Sequence, residues 1–282
     1  MASHPKITIV GVGLLGGSLA LALKKQKGIR LVGWNHRASS RKKAARLIPV
    51  AGSFEEAVRG ADKVLLCSHS GSIAPALKRL VSLAAPRVLI MDVSSVKSEL
   101  AREADRIPAM ARHFVPCHPM AGKEKSGLAF ADADLYQGKT VFITPLDKNP
   151  KELVQSAARF WKGVGAIPLI TDPSLHDRSV ALTSHLPHIL ASALMELYGR
   201  TEGRSAVYRK AVGSGFRDFT RIAAGNPAMW GDIVDMNATE IKYFLSQYRR
   251  QLMELEKNLQ KGKGRFWMDF FTKARVLREK IK

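Results

Sequence analysis

Cysteine is nearly absent: the 282-residue chain holds two, Cys67 and Cys117. Two thiols cannot make a disulfide framework or a cysteine-rich zinc site, and both lie in apolar, strand-like runs as buried thiols do. A reducing, cytoplasmic setting is the expectation. Long apolar runs are missing too. None approaches the roughly 18–20 residues that span a bilayer, so no membrane partner is expected. The opening MASHPK leads straight into a strand pattern, and no signal or transit peptide is expected. Acidic residues are scarce, 24 against 45 Lys plus Arg, for a formal charge of +21. That excess invites a nucleic-acid partner. However, residues 1–171 carry 26 basic and 12 acidic side chains and residues 172–282 carry 19 and 12, so no segment monopolises it. Neither zinc-finger spacing nor an aromatic-rich RNA-binding strand occurs. A solvated basic surface that draws in anionic small molecules fits better, and nucleic acid is not expected.

What is present begins at ITIVGVGLLGGSLALALKKQKGIRLVGWN (7–35), a buried-strand run, a glycine turn, a helix-like stretch and a second strand. Gly11, Gly13 and Gly16 fit G-x-G-x-x-G in the strand-to-helix context that confirms it. The first permits the turn, the second lets backbone approach a pyrophosphate, and the third lets helix pack on strand. Leu14 and Leu15 open the helix, whose N-terminus presents free N–H groups to phosphate. Where the second strand ends, a carboxylate would bind the adenosine ribose and repel a 2′-phosphate. Asn35, His36, Arg37 and Ser39 stand there instead, so NADP is expected over NAD, with NAD remaining possible.

Further strand patterns at Lys63–Cys67, Arg87–Asp92, His113–Cys117 and Thr140–Thr144 alternate with helical ones at Ser72–Leu83 and Lys97–Arg106. This alternation predicts an α/β fold with a Rossmann-type, doubly wound, mostly parallel sheet over residues 1–171. Strand C-termini line the ligand crevice of such sheets. Ser68, His69, Ser94, Ser95 and His118 fall there, with Ser68 facing the cofactor. After Ile167–Thr171 the pattern turns helical. Pro173 opens a long helix toward Leu197, and further helices are expected at Gly203–Val212, Met229–Arg250, Leu252–Gln260 and Phe266–Ile281. Residues 172–282 thus form an all-helical domain suited to substrate binding and homodimer formation. Within LTSHLPHILA (182–191), Ser184 and His188 are four apart and share a helix face. His185 and His188 lack a third ligand at metal-site spacing, so no metal is expected. Arg217, Asp218 and Arg221 lie among glycines and aromatics in GSGFRDFTRIAAGNPAMWGDI (213–233), as either an anion clamp or a helix-start charge pair.

Taken in order, GVGLLGGS, DVSSVK, HPMAGKEKSG, TSHLPH and GFRDFTRIAAGNPAMW resemble the prephenate/arogenate dehydrogenase family of tyrosine biosynthesis over nearly the whole chain. The resemblance implies oxidative decarboxylation of a cyclohexadienol, with hydride passing to NADP or NAD. It implies that His118 is the catalytic histidine that accepts a hydrogen bond from the ring hydroxyl, and that Ser95 shares that bond's network. It places Arg221 on a substrate carboxylate, Ser184 and His188 on the substrate side, and Asp218 and Trp230 in support. Lys123 and Glu124 follow HPMAG and argue in opposite directions: Glu124 could pair with the ammonium of arogenate, Lys123 with the fully anionic prephenate. A ring-modified prephenate analogue is a second candidate substrate. The related β-hydroxyacid dehydrogenases use a helix-borne lysine, and TSHLPHILASALM has none. No appended regulatory domain is expected.

Overall fold

The computed structural model describes residues 4–83, 85, 87–123, 125–260 and 264–281. Its first half is built on two sheets. Strands β1 (Lys6–Val10), β2 (Arg30–Trp34), β3 (Lys63–Leu66), β4 (Leu89–Asp92) and β5 (Phe114–Val115) form a parallel sheet in the order β2-β1-β3-β4-β5. Side chains alternate across it as the strand period of two requires. Ile7, Ile9, Leu65, Leu89 and Met91 enter one core, with Leu19, Leu23, Phe160 and Trp161 from the helices Leu14–Lys24 and Lys151–Gly163. Val10, Val64, Leu66 and Ile90 enter the other, with Phe54, Ile73, Leu77, Leu80 and Leu100. Each such side chain contributes about 1.5–3 kcal/mol on full burial. The chain steps to one side of β1 to form β2 and then to its other side to form β3, so the crevice outside the ends of β1 and β3 is the topological switch point where ligands bind in such sheets.

The run His113–Cys117, expected as one strand, is two. Pro116 has no N–H for the ladder and a fixed φ, and the chain leaves the parallel sheet there. It re-pairs as β6 (Cys117–Pro119), antiparallel to β7 (Thr140–Ile143), which pairs in parallel with β8 (Ile167–Ile170). The Asp92 carboxylate at the end of β4 accepts the Cys117 N–H at 2.9 Å and pins the crossing. His118 therefore lies on a second small sheet, opposite Phe142.

From Asp172 onward the described chain is helical. Asp172 caps the helix Pro173–Val180, accepting from Ser174 N–H at 2.8 Å and Leu175 N–H at 3.1 Å, with proline in the first turn. The next five residues, Ala181–His185, make a π turn before the helix Leu186–Glu202. Pro187 explains it: within a regular helix its ring would press on the carbonyl four residues back, and a wider turn relieves that. The stretch expected as one helix from Met229 to Arg250 breaks at Asn237, between Pro227–Met236 and Ala238–Gln260. Asn237 is buried, and its amide is used inside the fold. The break expected near Arg250 does not occur, and the last described helix is Gly264–Glu279. No helix among the described residues is long and apolar enough to cross a membrane.

Candidate active site

The glycine turn has the geometry of a phosphate cradle. Gly11 adopts φ +96°, and a Cβ there would lie 2.6 Å from the Cys67 carbonyl oxygen. A Cβ on Gly16 would collide with the Gly11 carbonyl oxygen, so helix and turn touch through bare backbone. Gly13 faces open space, with nothing within 4 Å of an added Cβ. Only Gly13 stands where a ligand would need the room, which is how such a turn meets a pyrophosphate. The helix Leu14–Lys24 begins there with no side-chain cap, and Leu14 and Leu15 are half-buried beside it. Asn35 is buried against the same turn, its Oδ1 accepting the Val12 N–H at 2.7 Å. Arg41 donates to the Asn35 and His36 carbonyl oxygens at 2.9 and 2.8 Å. His36, Arg37 and Ser39 remain exposed at the rim, and Ser68 Oγ accepts from Ser72 Oγ at 2.8 Å.

Ser95 and His118 are braced by groups that the motifs did not single out. Lys97 is fully buried, and its ammonium donates to Asp92 Oδ2 at 2.5 Å, the Cys117 carbonyl at 2.7 Å and Ser94 Oγ at 3.0 Å. Ser94 Oγ also donates to Asp92. All three ammonium protons are used, as a buried charge requires. The Asp92–Lys97 pair thus clamps the half-buried Ser95 turn to β6. Removing either partner of such a pair costs about 3–5 kcal/mol. The sequence signal was the pair of opposite charges bracketing DVSSVK in an otherwise apolar run.

His118 is buried, with Nδ1 at 2.9 Å from His176 Nε2. His176 Nδ1 lies 2.7 Å from Asp177 Oδ1, and the His176 ring meets Phe142 edge-on at 5.0 Å. Asp177 also accepts the Lys97 N–H at 2.8 Å and the Ser98 N–H at 2.7 Å. Burial, then the neighbouring His176, Lys97 and His185, hold His118 well below the ordinary imidazole range. Burial lowers His176 too, against the pull of Asp177. Burial alone would push the Asp177 carboxyl up, but bonds from His176 and the Lys97 and Ser98 N–H groups carry it below its usual range. His118 is therefore a neutral imidazole at pH 7.

The network continues into the helical half. Asn237 Nδ2 donates to the Asp177 carbonyl at 2.9 Å and to His185 Nδ1 at 3.1 Å, and burial brings His185 down to about 4. His188 stacks flat on Trp230, ring centroids 3.5 Å apart, and burial lowers it as well. A side chain on Gly225 would strike both rings, its Cβ 2.5 Å from Trp230 Nε1 and 2.9 Å from His188. Asn226 caps the helix that presents Trp230. Both histidines of the H-x-x-H pair meet Trp230, His188 stacked on its face and His185 edge-on at 6.0 Å, and no group of three possible metal ligands occurs among the described residues. Ser184 lies half-buried in the π turn. Asp218 and Arg221 lie exposed on the segment Ser214–Ala224, which packs against the helix Leu186–Glu202. Lys123 is engaged with Asp132 at 2.9 Å, beside the cradle helix through Ser18, and Glu124 lies outside the described residues. The turn Ser70–Ser72 meets the helix Pro227–Met236, so the cradle and the histidine network border one crevice. Burial keeps both thiols protonated, Cys117 pushed up to about 12, which removes them as nucleophiles.

Comparison with known proteins agrees with this arrangement. The family description "Prephenate dehydrogenase, nucleotide-binding domain" matches residues 19–169, and "Prephenate dehydrogenase, dimerization domain" matches 172–272. A cyclohexadienyl dehydrogenase of Zymomonas mobilis is 32% identical across 100% of this chain and 98% of its own. A prephenate dehydrogenase of Bacillus subtilis is 31% identical, covering 97% of this chain and 75% of its own. The crystal structure of prephenate dehydrogenase from A. aeolicus, in complex with hydroxyphenyl propionate and NAD+, superimposes with a TM-score of 0.91. It is 29% identical over 99% of this chain and 98% of that one. The Synechocystis arogenate dehydrogenase gives 0.85 at 27% identity, over 98% and 100%. With both halves matched in order and a buried neutral histidine at the crevice between them, the chain belongs to the prephenate dehydrogenase family and is a dehydrogenase.

Proposed function

We propose that the crevice oxidatively decarboxylates prephenate or arogenate, with His118 as the group that accepts the ring hydroxyl's hydrogen bond. The observation that carries this reading is the buried, neutral His118, held from one side by His176 at the seam between the cradle and the helical half. A bound nicotinamide dinucleotide supplies the hydride acceptor. Gly11, Gly13, Leu14, Leu15 and Gly16 would hold its pyrophosphate, and Asn35 to Ser39, with Ser68, its ribose end. The open face of Gly13 and the uncapped helix start fit that group.

The substrate's hydroxyl oxygen becomes carbonyl-like as hydride leaves its carbon, and its proton turns acidic for that interval. A neutral imidazole is then needed to take the proton's share of charge, and burial supplies the neutral form. Loss of carbon dioxide makes the ring aromatic, so positioning matters more than base strength. Ser95 joins the hydroxyl's network, and the Asp92–Lys97 clamp fixes its turn. Arg221 receives a carboxylate, for which a guanidinium's two parallel N–H groups are suited. His188, neutral and stacked on Trp230, orients the side-chain end beside Ser184. Residues 1–171 act as the cofactor unit and 172–282 as the substrate unit, which pairs with a second copy to form a homodimer.

For the cofactor, NADP is preferred. No carboxylate ends β2, Asn35 is occupied by the glycine turn, and Arg37 and Ser39 stand exposed at the rim. The test is a steady-state assay offering prephenate and arogenate, each with NADP and with NAD. Turnover of at least one pair is expected, faster with NADP. Silence in all four from folded, dinucleotide-binding protein would overturn the substrate reading.

A further inference from the structure

The geometry points to His176 and Asp177 as positioning residues that set which nitrogen of His118 carries its proton and share the charge that His118 receives. The inference rests on His118 being the hydroxyl's acceptor.

The chain of bonds fixes the tautomers one after another. Asp177 is ionised and can only accept, so His176 Nδ1, 2.7 Å away, carries a hydrogen. Neutral His176 then has a lone pair on Nε2. His118 Nδ1 lies 2.9 Å from that lone pair and must be the donor. His118 Nε2 is left bare, the state that can accept a hydroxyl proton. Asp177 itself cannot swing away, because the Lys97 and Ser98 N–H groups hold its two oxygens. Phe142, partner of His118 across β6 and β7, backs the His176 ring. The charged and titratable groups facing this pair are few. Lys97 and His185 face His118, and Asp177, Lys97 and Asp92 face His176.

During the reaction the relay has a second use. As hydride passes from the hydroxyl-bearing carbon to the oxidised nicotinamide, the hydroxyl proton is shared with His118 Nε2. The His118 Nδ1 proton can then lean toward His176 Nε2, placing positive charge beside the Asp177 carboxylate. When the bond to the departing carboxyl group breaks, its electron pair completes the aromatic ring and carbon dioxide leaves. The proton returns to the oxygen as a phenol, and no net proton is released.

The test reads tautomers directly. Protein with 15N-labelled histidine rings would be examined at pH 7.5 by long-range proton–nitrogen NMR. Among the eight histidines, His118 would be assigned by its loss in His118→Asn and His176 by its loss in His176→Gln. The expected result is hydrogen on Nδ1 and a bare Nε2 in both rings. Hydrogen on Nε2 of His118 in the wild-type protein overturns the relay, whether or not any variant folds. In Asp177→Asn, whose amide can donate as well as accept, His118 should lose its single tautomer. Its kcat should fall about 10²-fold while substrate KM and dinucleotide Kd stay within about threefold. Reduced thermal stability with tautomer and kcat intact would make Asp177 structural only and overturn the relay. Full turnover by His118→Asn would instead sink the assignment of His118 while leaving the tautomer result standing.

Discussion

Between residues 6 and 166 the large apolar side chains are mostly interior, Val81 and Phe130 excepted: Leu19, Leu65 and Leu77 have no exposure, and Phe54 and Trp161 are buried with them. From Ile167 onward the pattern inverts. Ile167, Leu169 and Ile170 on β8 are exposed, then Leu175, Leu197 and Phe271, each of the last two at 62%, and Met268 at 72%. Apolar surface on this scale marks an interface, and the second region matches a dimerization domain. The cofactor half finishes its own core, whereas the helical half has a face left to cover. Function divides along the same line. The phosphate cradle is made by one contiguous stretch, while the histidine network draws on β6, the helix Pro173–Val180, the π turn and Asn237.

The sharpest way to break this division is His118→Asn, since His118 belongs to the first half by chain position and to the second by its bonds. Turnover should fall on the order of 10²–10⁴-fold, with dinucleotide Kd within about twofold by titration. A matching loss of cofactor affinity would mean that cradle and network are one unit.

Acid should act on the network before the cradle. His185 titrates at about 4 in the folded chain against about 6.5 unfolded, so below pH 6.5 the unfolded state binds more protons. Stability is therefore full above pH 6.5 and lost as pH falls toward 4, on the order of 3 kcal/mol from this group. His118, His176 and His188, lowered in the same direction, add to it. Thermal midpoints measured from pH 7.5 to 4.5 should drop, and a flat profile would refute a neutral buried network. The exposed face is tested by Leu197→Glu with Phe271→Glu. Charge there should weaken dimerisation by about tenfold or more in sedimentation, leaving dinucleotide binding unchanged. A dimer of unaltered strength would place the interface elsewhere.

The same contrast explains what could be read from the chain. The cradle was legible because Gly11, Gly13 and Gly16 act within six residues, Gly11 and Gly16 answering a local steric demand and Gly13 leaving its face open. His118 was legible from its place at a strand end and from the HPMAG resemblance. His176 and Asp177 were not, because His176 meets His118 across 58 positions and Asp177 caps the Lys97 turn across 80. Nothing in SLHDRS distinguishes them from a surface helix. The split at Pro116 was written in the sequence, but a proline near a strand end says only that the ladder stops. Asn237 looked like one more helix residue, and only packing shows its amide joining Asp177 to His185.

The smallest expected effect is confined to the rim of the cradle. Asn35 Oδ1 accepts the Val12 N–H and its Nδ2 reaches the Ser40 carbonyl at 3.4 Å, while Arg41 Nη1 donates to two backbone carbonyls. In the NADP reading proposed above, Arg37 and Ser39, exposed at the rim beside His36, are the groups to meet a 2′-phosphate. Arg37→Ala should weaken NADP by about tenfold, the scale of one charge-assisted contact at an exposed site, and leave NAD within about twofold. Asn35→Asp should do the reverse of optimising NADP. The carboxylate can still accept the Val12 N–H, so the glycine turn survives, but its charge repels a 2′-phosphate and can accept from a ribose hydroxyl. The ratio of kcat/KM for NADP over NAD should fall in both variants, by rising NADP KM alone in the first. In the second, NAD should improve as NADP worsens. Equal losses for both dinucleotides in Arg37→Ala would show that Arg37 acts on the start of the helix Ala38–Ala44, which it precedes, and not on the phosphate.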